Sequence, residues 1–369
     1  MTPLRAIGWP YAGDVADPQW AACLAAHPRA RPARVVEQHR SGYVVAEGPD
    51  QAAAAESPPE WQRATGYRKG KLAPEERAAV GDWVLVEGDA ASPRIVALLP
   101  RHSAIKRGAA GEHYRQQLIA ANVDTVLVVC GLDGDFNPRR IERYLLLVQG
   151  SGATPVVVLT KADQAGDDAV AATRDALAGN VAGEVAVLAL NARDPASVAA
   201  LAPWLQPGNT AVLVGSSGAG KSTLTNTLLG IERMKTGEVR AHDARGRHTT
   251  THRALIPLPS GACLIDTPGM RELKPTGEED VAESFEDIEA LAAECRFRDC
   301  RHQREPGCAV RAAVEAGTLD PGRLANYAKL RDEVAGAADR LALRLAQKGE
   351  AKVQTKALGK RLDEKYGKH

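Results

Sequence analysis

The sequence predicts a multidomain protein with a small β-barrel, an α/β domain built on a parallel sheet, and an α-helical domain that holds a metal. Three observations support this fold class. Short β-like runs separated by Gly and Pro turns fill residues 33–101. Strands alternate with helices over 112–275, and cysteines cluster in the helical stretch 276–369. Residues 1–32 show no clear periodicity and are predicted to be an N-terminal extension.

The composition excludes disordered and fibrous proteins. The chain has 369 residues, of which 44% are hydrophobic and 25% charged, which is typical of a soluble globular protein with two or three domains. The net charge of +1 gives no general reason to expect nucleic-acid binding. Neither a signal peptide nor a run of about 18 apolar residues is present. We therefore expect a cytoplasmic protein without a membrane partner.

The barrel is predicted from four runs, RVVEQH, SGYVVAEG, GDWVLVEG and RIVALLP, with an Ala-rich loop at 50–58 and a linker near 102–112. Basic residues are frequent in and around these runs. If they share one face they suit a nucleic acid, and a solvated surface is the equally weighted alternative. These residues are Arg29, Arg31, Arg34, Arg40, Arg63, Arg68, Lys69 and Lys71.

The α/β domain is predicted from alternating apolar runs and helical patterns. The runs are DTVLVVCGL, VVVLTKAD, EVAVLAL and TAVLVGSSGAGKS, separated by helices at IERYLLLVQGSG, 167–178 and 195–205. This alternation implies a parallel sheet covered on both faces.

The strongest motif is GSSGAGKS, which directly follows an apolar strand and precedes the helical pattern TLTNTLLG. Its glycines allow backbone N–H groups to approach phosphate oxygens at a helix N-terminus. Lys221 supplies a charge at the outer phosphates, and the Ser222 hydroxyl is the expected Mg²⁺ ligand. The predicted phosphate-binding residues are Gly215, Ser216, Ser217, Gly218, Ala219, Gly220, Lys221, Ser222 and Thr223.

Two further segments suit a nucleoside triphosphatase. CLIDTPGM places Asp266 at a strand end, where its carboxylate can hold the magnesium shell through water, and Gly269 where a backbone N–H can meet the γ-phosphate. The stretch TGEVRAHDARGRHTTTHR is the candidate switch loop. Thr250, in preference to its neighbours Thr249 and Thr251, is predicted to contact Mg²⁺ and the γ-phosphate.

A group is also needed to orient the attacking water. Gln commonly follows Asp-x-x-Gly, but Met270 stands in that place here and cannot orient water by hydrogen bonding. His248, beside the switch threonines, is the predicted substitute. His242 and His252 on the same loop are the alternatives.

The base-reading motif is TKAD. Asp163 can accept two N–H donors from the guanine edge that adenine lacks, so GTP is expected over ATP. Lys161 is predicted to lie beside the base, and Asn191 with Ala192 to present a backbone N–H to the guanine oxygen. The base motifs precede the phosphate loop in the chain, and this order predicts a circularly permuted sheet.

The C-terminal domain opens with CRFRDCRHQREPGC. Three thiolates and one imidazole form a closed structural set that favours one Zn²⁺ ion, held by Cys295, Cys300, His302 and Cys308. Interleaved arginines suit RNA phosphates, namely Arg296, Arg298, Arg301 and Arg304. A basic stripe then recurs every four residues along the tail: Arg340, Arg344, Lys348, Lys352, Lys356 and Lys360.

Together these motifs, in this order, resemble the ribosome small-subunit-dependent GTPase A (RsgA) family over about residues 33–340. The resemblance implies an OB-fold barrel, a circularly permuted GTPase and a zinc-binding helical domain. It also implies late maturation of the small ribosomal subunit, with GTP hydrolysis to GDP stimulated by that subunit and coupled to release. By this resemblance, the family's phosphate loop falls on residues 215–222, its switch threonine on Thr250 and its catalytic histidine on His248. The family's zinc ligands fall on Cys295, Cys300, His302 and Cys308. Thr160 departs from the pattern, because the base motif usually has Asn there.

Two functions from different classes stay open at this point. The first is a GTPase that acts with the small ribosomal subunit and its rRNA. The second is an RNA-binding regulator that senses GTP or guanine alarmones, with hydrolysis incidental. An ATPase or kinase is disfavoured by Asp163. One complete nucleotide site in one chain makes a monomer sufficient.

Overall fold

The barrel is built from five antiparallel strands. The computed structural model describes residues 2–39, 42–61, 77–108, 116–133, 136–178, 185–231, 253–266 and 275–366. The barrel strands are β1 (Arg31–Gln38), β2 (Tyr43–Ala46), β3 (Ala52–Ala55), β4 (Trp83–Glu87) and β5 (Arg94–Leu98). β1 pairs with β2 and β4, β2 with β3, and β4 with β5. A parallel bridge between Glu56 and Arg94 brings the end of β3 to β5. The order β1-β2-β3-β5-β4-β1 is that of an OB-fold and confirms the predicted barrel.

Two segments differ from the sequence prediction. The Ala-rich stretch at 50–58 is not a loop throughout, because Ala52–Ala55 forms β3 against β2. The linker near 102–112 contains β6 (Ala104–Gly108), which pairs with β7 (Gln116–Ala121). Neither segment is rich in β-branched or aromatic residues, so pairing with a neighbouring strand decides its conformation.

The N-terminal residues are part of the protein core. A 3₁₀ turn (Arg5–Ile7) precedes α1 (Pro18–Ala26), which Asp17 caps. Trp9 and Trp20 are buried, with ring centroids 4.8 and 6.5 Å from that of Trp83 in the barrel. The predicted extension therefore packs as a cover on the barrel. Its aromatic residues are spaced too irregularly along the chain to show this as a periodic pattern.

Arg34 lies in the interior, so its place among the candidate nucleic-acid contacts was wrong. The residue is fully buried on β1, and its guanidinium stacks on Trp83 at 5.1 Å. It donates to the carbonyl oxygens of Ile7 (2.6 Å) and Asn122 (3.2 Å) and to the Thr210 hydroxyl (2.8 Å). These bonds satisfy the buried charge and join the N-terminal segment, the barrel and the α/β domain.

The α/β domain has a six-stranded sheet. Its strands are β8 (Thr125–Gly131), β9 (Thr154–Thr160), β10 (Ala186–Ala189), β11 (Thr210–Val214), β12 (Arg253–Pro257) and β13 (Cys263–Asp266). The order is β10-β9-β8-β11-β13-β12, with all neighbours parallel except β13 and β12. β12 also pairs with barrel strand β1, at Ala254 opposite Glu37. The barrel and the α/β domain therefore share one continuous sheet.

Helices connect these strands as predicted. They are α2 (Pro138–Val148), α3 (Asp167–Ala178), α4 (Pro195–Val198), which continues as a 3₁₀ helix over Ala199–Trp204, and α5 (Lys221–Leu229). Asn137 and Asp194 cap α2 and α4 with their side chains, as residues at these positions commonly do. Strands β8, β9 and β11 are almost entirely buried, which agrees with a sheet covered on both faces.

The C-terminal domain is helical, with α6 (Val281–Ser284), α7 (Glu286–Ala293), α8 (Ala309–Glu315) and α9 (Pro321–Tyr366). Its apolar cluster includes Phe285, Ile288 and Leu330, and Leu146 of α2 is buried in the same cluster. Among the helices that the structure describes, none is long and apolar enough to cross a membrane. Apart from Arg340, the side chains of the basic stripe lie outside the described part of α9.

A buried ion network fastens this domain to α2. Glu142 and Arg323 are 4% and 3% exposed, and the Arg323 guanidinium donates to Glu142 at 3.2 Å and to Asp287 at 2.6 Å. The Asn326 amide donates to the second Glu142 oxygen at 2.6 Å. The Arg323 guanidinium also lies 4.7 Å from the centre of the Phe285 ring. The charges are thus paired and hydrogen-bonded, as buried charges must be.

Candidate nucleotide and zinc sites

The phosphate-loop sequence connects β11 to α5 and has a backbone that requires glycine. Gly215, Gly218 and Gly220 have φ of +145°, +80° and +89°. A Cβ atom on Gly215 would lie 2.1 Å from the carbonyl oxygen of Val129, near the end of β8. The loop therefore crosses closely over β8 before it enters the helix.

Lys221 is the first residue of α5, and its ammonium lies inside the loop. It donates to the carbonyl oxygens of Gly215 (2.8 Å) and Ser216. Ser222 and Thr223 follow in the first helical turn, where backbone N–H groups lack intrahelical partners. A positive charge, these N–H groups and the helix dipole together form a site suited to phosphate.

The base-reading motif begins where β9 ends. Thr160 is the last residue of the strand, and Lys161 has a left-handed φ of +61°, which turns the chain away from the sheet. Asp163 sits in the 3₁₀ turn that follows and is exposed. The Lys161 ammonium is paired with the carboxylate of Asp133, which follows β8. Sequence reasoning missed Asp133, because no short motif contains it.

The second base loop follows β10. The Asn191 side chain accepts a hydrogen bond from the Arg193 N–H (2.9 Å), which folds the loop into a local turn. The Ala192 carbonyl accepts from the Thr227 hydroxyl of α5 at 2.6 Å. The Leu190 carbonyl accepts from the Ala162 N–H at 3.3 Å, so the two base loops are joined.

The structure thus brings three predicted groups to one edge of the sheet. The ends of β9, β10 and β11 meet there because the strands are parallel, and ligands of such sheets bind at this edge. Asp266 ends β13 at the same edge, with its side chain outside the described part. His248, Thr250, Gly269 and Met270 also lie outside the described residues.

The predicted zinc ligands converge. The ligand atoms of Cys295, Cys300, His302 and Cys308 all lie within 4.8 Å of one another. Sγ of Cys295 is 3.9 Å from Sγ of Cys308 and 3.7 Å from Nδ1 of His302, and the Cys308–His302 distance is 3.5 Å. A tetrahedral ion with Zn–S of about 2.3 Å and Zn–N of about 2.0 Å separates its ligands by roughly 3.5–3.8 Å. The four residues therefore fit zinc.

The surroundings favour the ligand forms of Cys295 and His302, whereas burial and the neighbouring thiols raise the pKa of the Cys300 thiol to about 11. Burial alone would raise the pKa of the Cys295 thiol, but N–H groups of Val310 and Ala309 and the neighbouring thiols lower it below its usual value. Burial lowers the pKa of His302, which keeps the imidazole neutral. Zinc binds thiolate and neutral imidazole, so both effects assist binding.

Glu305 organises the loop between the ligands and was not predicted. Its carboxylate accepts backbone N–H bonds from Arg301 (3.0 Å), Gln303 (2.9 Å) and Arg304 (2.9 Å). Its own backbone N–H and those of Arg301 and Arg304 lower its pKa to about 2. An acidic residue next to Pro-Gly in a tight loop was the available sequence signal.

Comparisons with known proteins agree with this architecture. The model of the RsgA GTPase family matches residues 98–276. Small ribosomal subunit biogenesis GTPase RsgA of Xanthomonas campestris pv. campestris is 68% identical over 95% of this chain and 93% of its own, and that of Xanthomonas oryzae pv. oryzae is equally similar. The match thus extends past residues 33–340, on which the resemblance was based.

Solved structures show the same fold. YjeQ from Thermotoga maritima has a TM-score of 0.57 at 25% identity, over 83% of this chain and 99% of its own. YloQ, described as a circularly permuted GTPase, has a TM-score of 0.54 at 24% identity, over 85% and 97% of the two chains. The motif order, the sheet and a relative of such high identity lead to one conclusion: the chain belongs to the RsgA family of circularly permuted GTPases.

Proposed function

We propose that this GTPase acts in late maturation of the small ribosomal subunit, and that binding to the subunit triggers hydrolysis of GTP to GDP and phosphate. Hydrolysis then drives release of the protein itself or of another assembly factor. One observation carries the proposal. A phosphate loop and a guanine-reading motif lie side by side at one sheet edge, in a chain 68% identical to a small ribosomal subunit biogenesis GTPase.

Each predicted residue has a role in this proposal. The phosphate loop from Gly215 to Thr223 binds the phosphates, with Lys221 as the charged contact. Asp163 reads guanine, supported by the Lys161 stem and the backbone at Asn191 and Ala192. The exposure of Asp163 favours its role, because its carboxylate is open to a ligand.

The hydroxyls of Ser222 and Thr250 are proposed to hold Mg²⁺, with Asp266 binding its water shell. When bound, the ion neutralises charge between the β- and γ-phosphates. The Gly269 N–H contacts the γ-phosphate, and His248 orients the attacking water. Ser222 lies in the first turn of α5 beside the loop, where a hydroxyl can reach a phosphate-bound cation.

The remaining domains are proposed to bind rRNA from two sides, with boundaries at 33–101 for the barrel, 112–275 for the GTPase domain and 276–369 for the zinc domain. The zinc loop, residues 295–308, supports this role because its interleaved arginines lie beside four converging side chains that fit zinc. Arg29, which is exposed, remains a candidate contact near the barrel. We propose a cytoplasmic monomer with one structural zinc.

Co-sedimentation with purified small subunits tests the proposal. We expect the protein to pellet with small subunits in the presence of a non-hydrolysable GTP analogue and to be released with GDP. Binding to large subunits or to naked rRNA that equals binding to small subunits would contradict it.

The His248→Ala variant tests the trigger. It should bind GTP normally, lose stimulated turnover and stay on the subunit, because the water is no longer oriented. His242→Ala, on the same loop, is the matched control and should turn over normally. Unchanged turnover by His248→Ala would remove that histidine from the mechanism.

A further inference from the structure

Thr160, the first residue of the base-reading motif, contacts the phosphate loop. Its side chain is fully buried. Its hydroxyl is 2.7 Å from the Ala219 carbonyl oxygen in the phosphate loop and 3.4 Å from the Cys130 carbonyl oxygen of β8. A hydroxyl has one proton, and O–H···O bonds centre on about 2.7–2.8 Å. The proton is therefore donated to the phosphate loop.

The contact between Thr160 and Ala219 holds the C-terminal end of the phosphate loop, here called its far end. The near end rests on β8, where Gly215 approaches the Val129 carbonyl. At the far end, a Cβ on Gly220 would lie 3.1 Å from the Thr160 hydroxyl oxygen and 3.5 Å from its methyl carbon. The loop thus spans from β8 to β9, and Thr160 is its support immediately before Lys221.

We infer that Thr160 is a positioning residue for the phosphate loop and does not read the base. The inference rests on the nucleotide site proposed above. Asn, the usual residue at this position, has an amide N–H donor, and the threonine hydroxyl provides a donor in its place. The branched side chain is also stiff at χ1, which keeps that donor aimed at Ala219.

Loss of the hydroxyl should weaken binding through the phosphates. The Ala219 carbonyl would lose this partner, and Ala219 is only 2% exposed. A hydrogen bond of this kind is worth enough to change affinity by about tenfold. Asp163 would be unaffected, because it lies beyond Lys161 in a separate turn. Affinity should therefore fall while base selectivity stays the same.

Dissociation constants of GTP, GDP and ITP for Thr160→Val and Thr160→Ser provide the test. Inosine lacks the guanine 2-amino group, so the ratio of GTP affinity to ITP affinity reports the Asp163 contact. Thr160→Val should bind all three nucleotides about tenfold more weakly with an unchanged ratio. Thr160→Ser keeps the hydroxyl and should restore most of the affinity.

Three results would overturn the inference. They are an unchanged nucleotide affinity in Thr160→Val, a lower ratio of GTP affinity to ITP affinity in that variant, or a Thr160→Ser variant that binds as weakly as Thr160→Val. If Thr160→Val does not fold, Thr160→Ser against Thr160→Ala makes the same comparison, because that pair differs by one hydroxyl. Lys221→Ala separates the two proposals. If it leaves GTP affinity unchanged, the nucleotide site itself is wrong; if it abolishes binding while Thr160→Val does not weaken it, only the role of Thr160 is wrong.

Discussion

At the scale of single residues, charge and hydrogen-bond type decide what each site can bind. An exposed carboxylate at Asp163 offers two acceptors and no donor, which matches the two adjacent donors of guanine. Lys221 places a cation among the loop carbonyls. We therefore expect selectivity for the base and attraction for the phosphates to come from different residues, one in the turn after β9 and one at the start of α5.

Asp163→Asn tests base selectivity. The substituted amide presents a donor to a guanine donor, so GTP affinity should fall by about 10- to 100-fold. XTP affinity should rise, because xanthine has an acceptor at that position. Asp168→Asn, an exposed carboxylate at the start of α3, is the control and should leave both affinities unchanged. Equal loss of GTP and XTP would contradict the assignment.

At the scale of elements, the two sites differ in how their backbones are held. The phosphate loop depends on glycines that allow positive φ and close approach to β8. The zinc loop has His302 and Gly307 at positive φ, with Glu305 binding three loop N–H groups. One loop is therefore held by contact with a sheet, and the other by a carboxylate beside four side chains that fit a metal ion.

Gly215→Ala should greatly weaken GTP binding, because its Cβ would overlap the Val129 carbonyl and force the loop to shift. Gly218→Ala is the matched control. It also has positive φ, but a Cβ there has open space around it. The expected order of GTP affinity, measured by titration, is wild type, then Gly218→Ala, then Gly215→Ala. The reverse order of the two variants would contradict the close crossing.

Cys308→Ser should release zinc and destabilise the C-terminal domain. The Cys308 sulfur caps α8 by accepting the Arg311 N–H at 3.4 Å, and serine is itself a good cap, so mainly the metal ligand is lost. Zinc content by elemental analysis should fall from one to near zero, and helix melting should occur at lower temperature. Cys23→Ser, outside the cluster, should keep its zinc. Retention of zinc by Cys308→Ser would contradict the ligand set.

At the scale of the whole molecule, both flanking domains are fastened to the GTPase sheet. The first residue of β12, Arg253, is also the last residue of the predicted switch segment, and it pairs with Gln38 of the barrel. On the other side, α2 shares the buried Glu142–Arg323 pair with the zinc domain. RNA bound by either flanking domain would therefore act on elements adjoining the nucleotide site.

Glu142→Ala should destabilise the protein by about 1–3 kcal/mol, because the buried Arg323 guanidinium and the Asn326 amide each lose a hydrogen-bond acceptor. Asp287 still pairs with Arg323 in this variant. The measurement is denaturant unfolding followed by circular dichroism. Glu315→Ala removes an exposed pair with Arg311 on α8 and should change stability little. Equal losses in the free energy of unfolding for the two variants would contradict a stabilising role for the buried ion network between α2 and α9.

The sites could be predicted from sequence to a greater extent than the packing between domains. Phosphate loops and zinc clusters depend on residues that lie close together in the chain, so their spacing can be recognised in the sequence. Arg34 is different: its bond to Thr210 spans 176 positions, and no local pattern distinguishes it from a surface arginine. The same holds for Trp9 and Trp20, whose burial depends on the distant Trp83.

The most direct test of the whole account is a comparison of GTP and ATP hydrolysis by the purified protein alone and with small subunits, large subunits or naked rRNA. We expect strong stimulation of GTP hydrolysis by small subunits only, since a folded subunit surface would contact both flanking domains. Equal stimulation by bare rRNA, stimulation of ATP hydrolysis, or no stimulation by small subunits would contradict it.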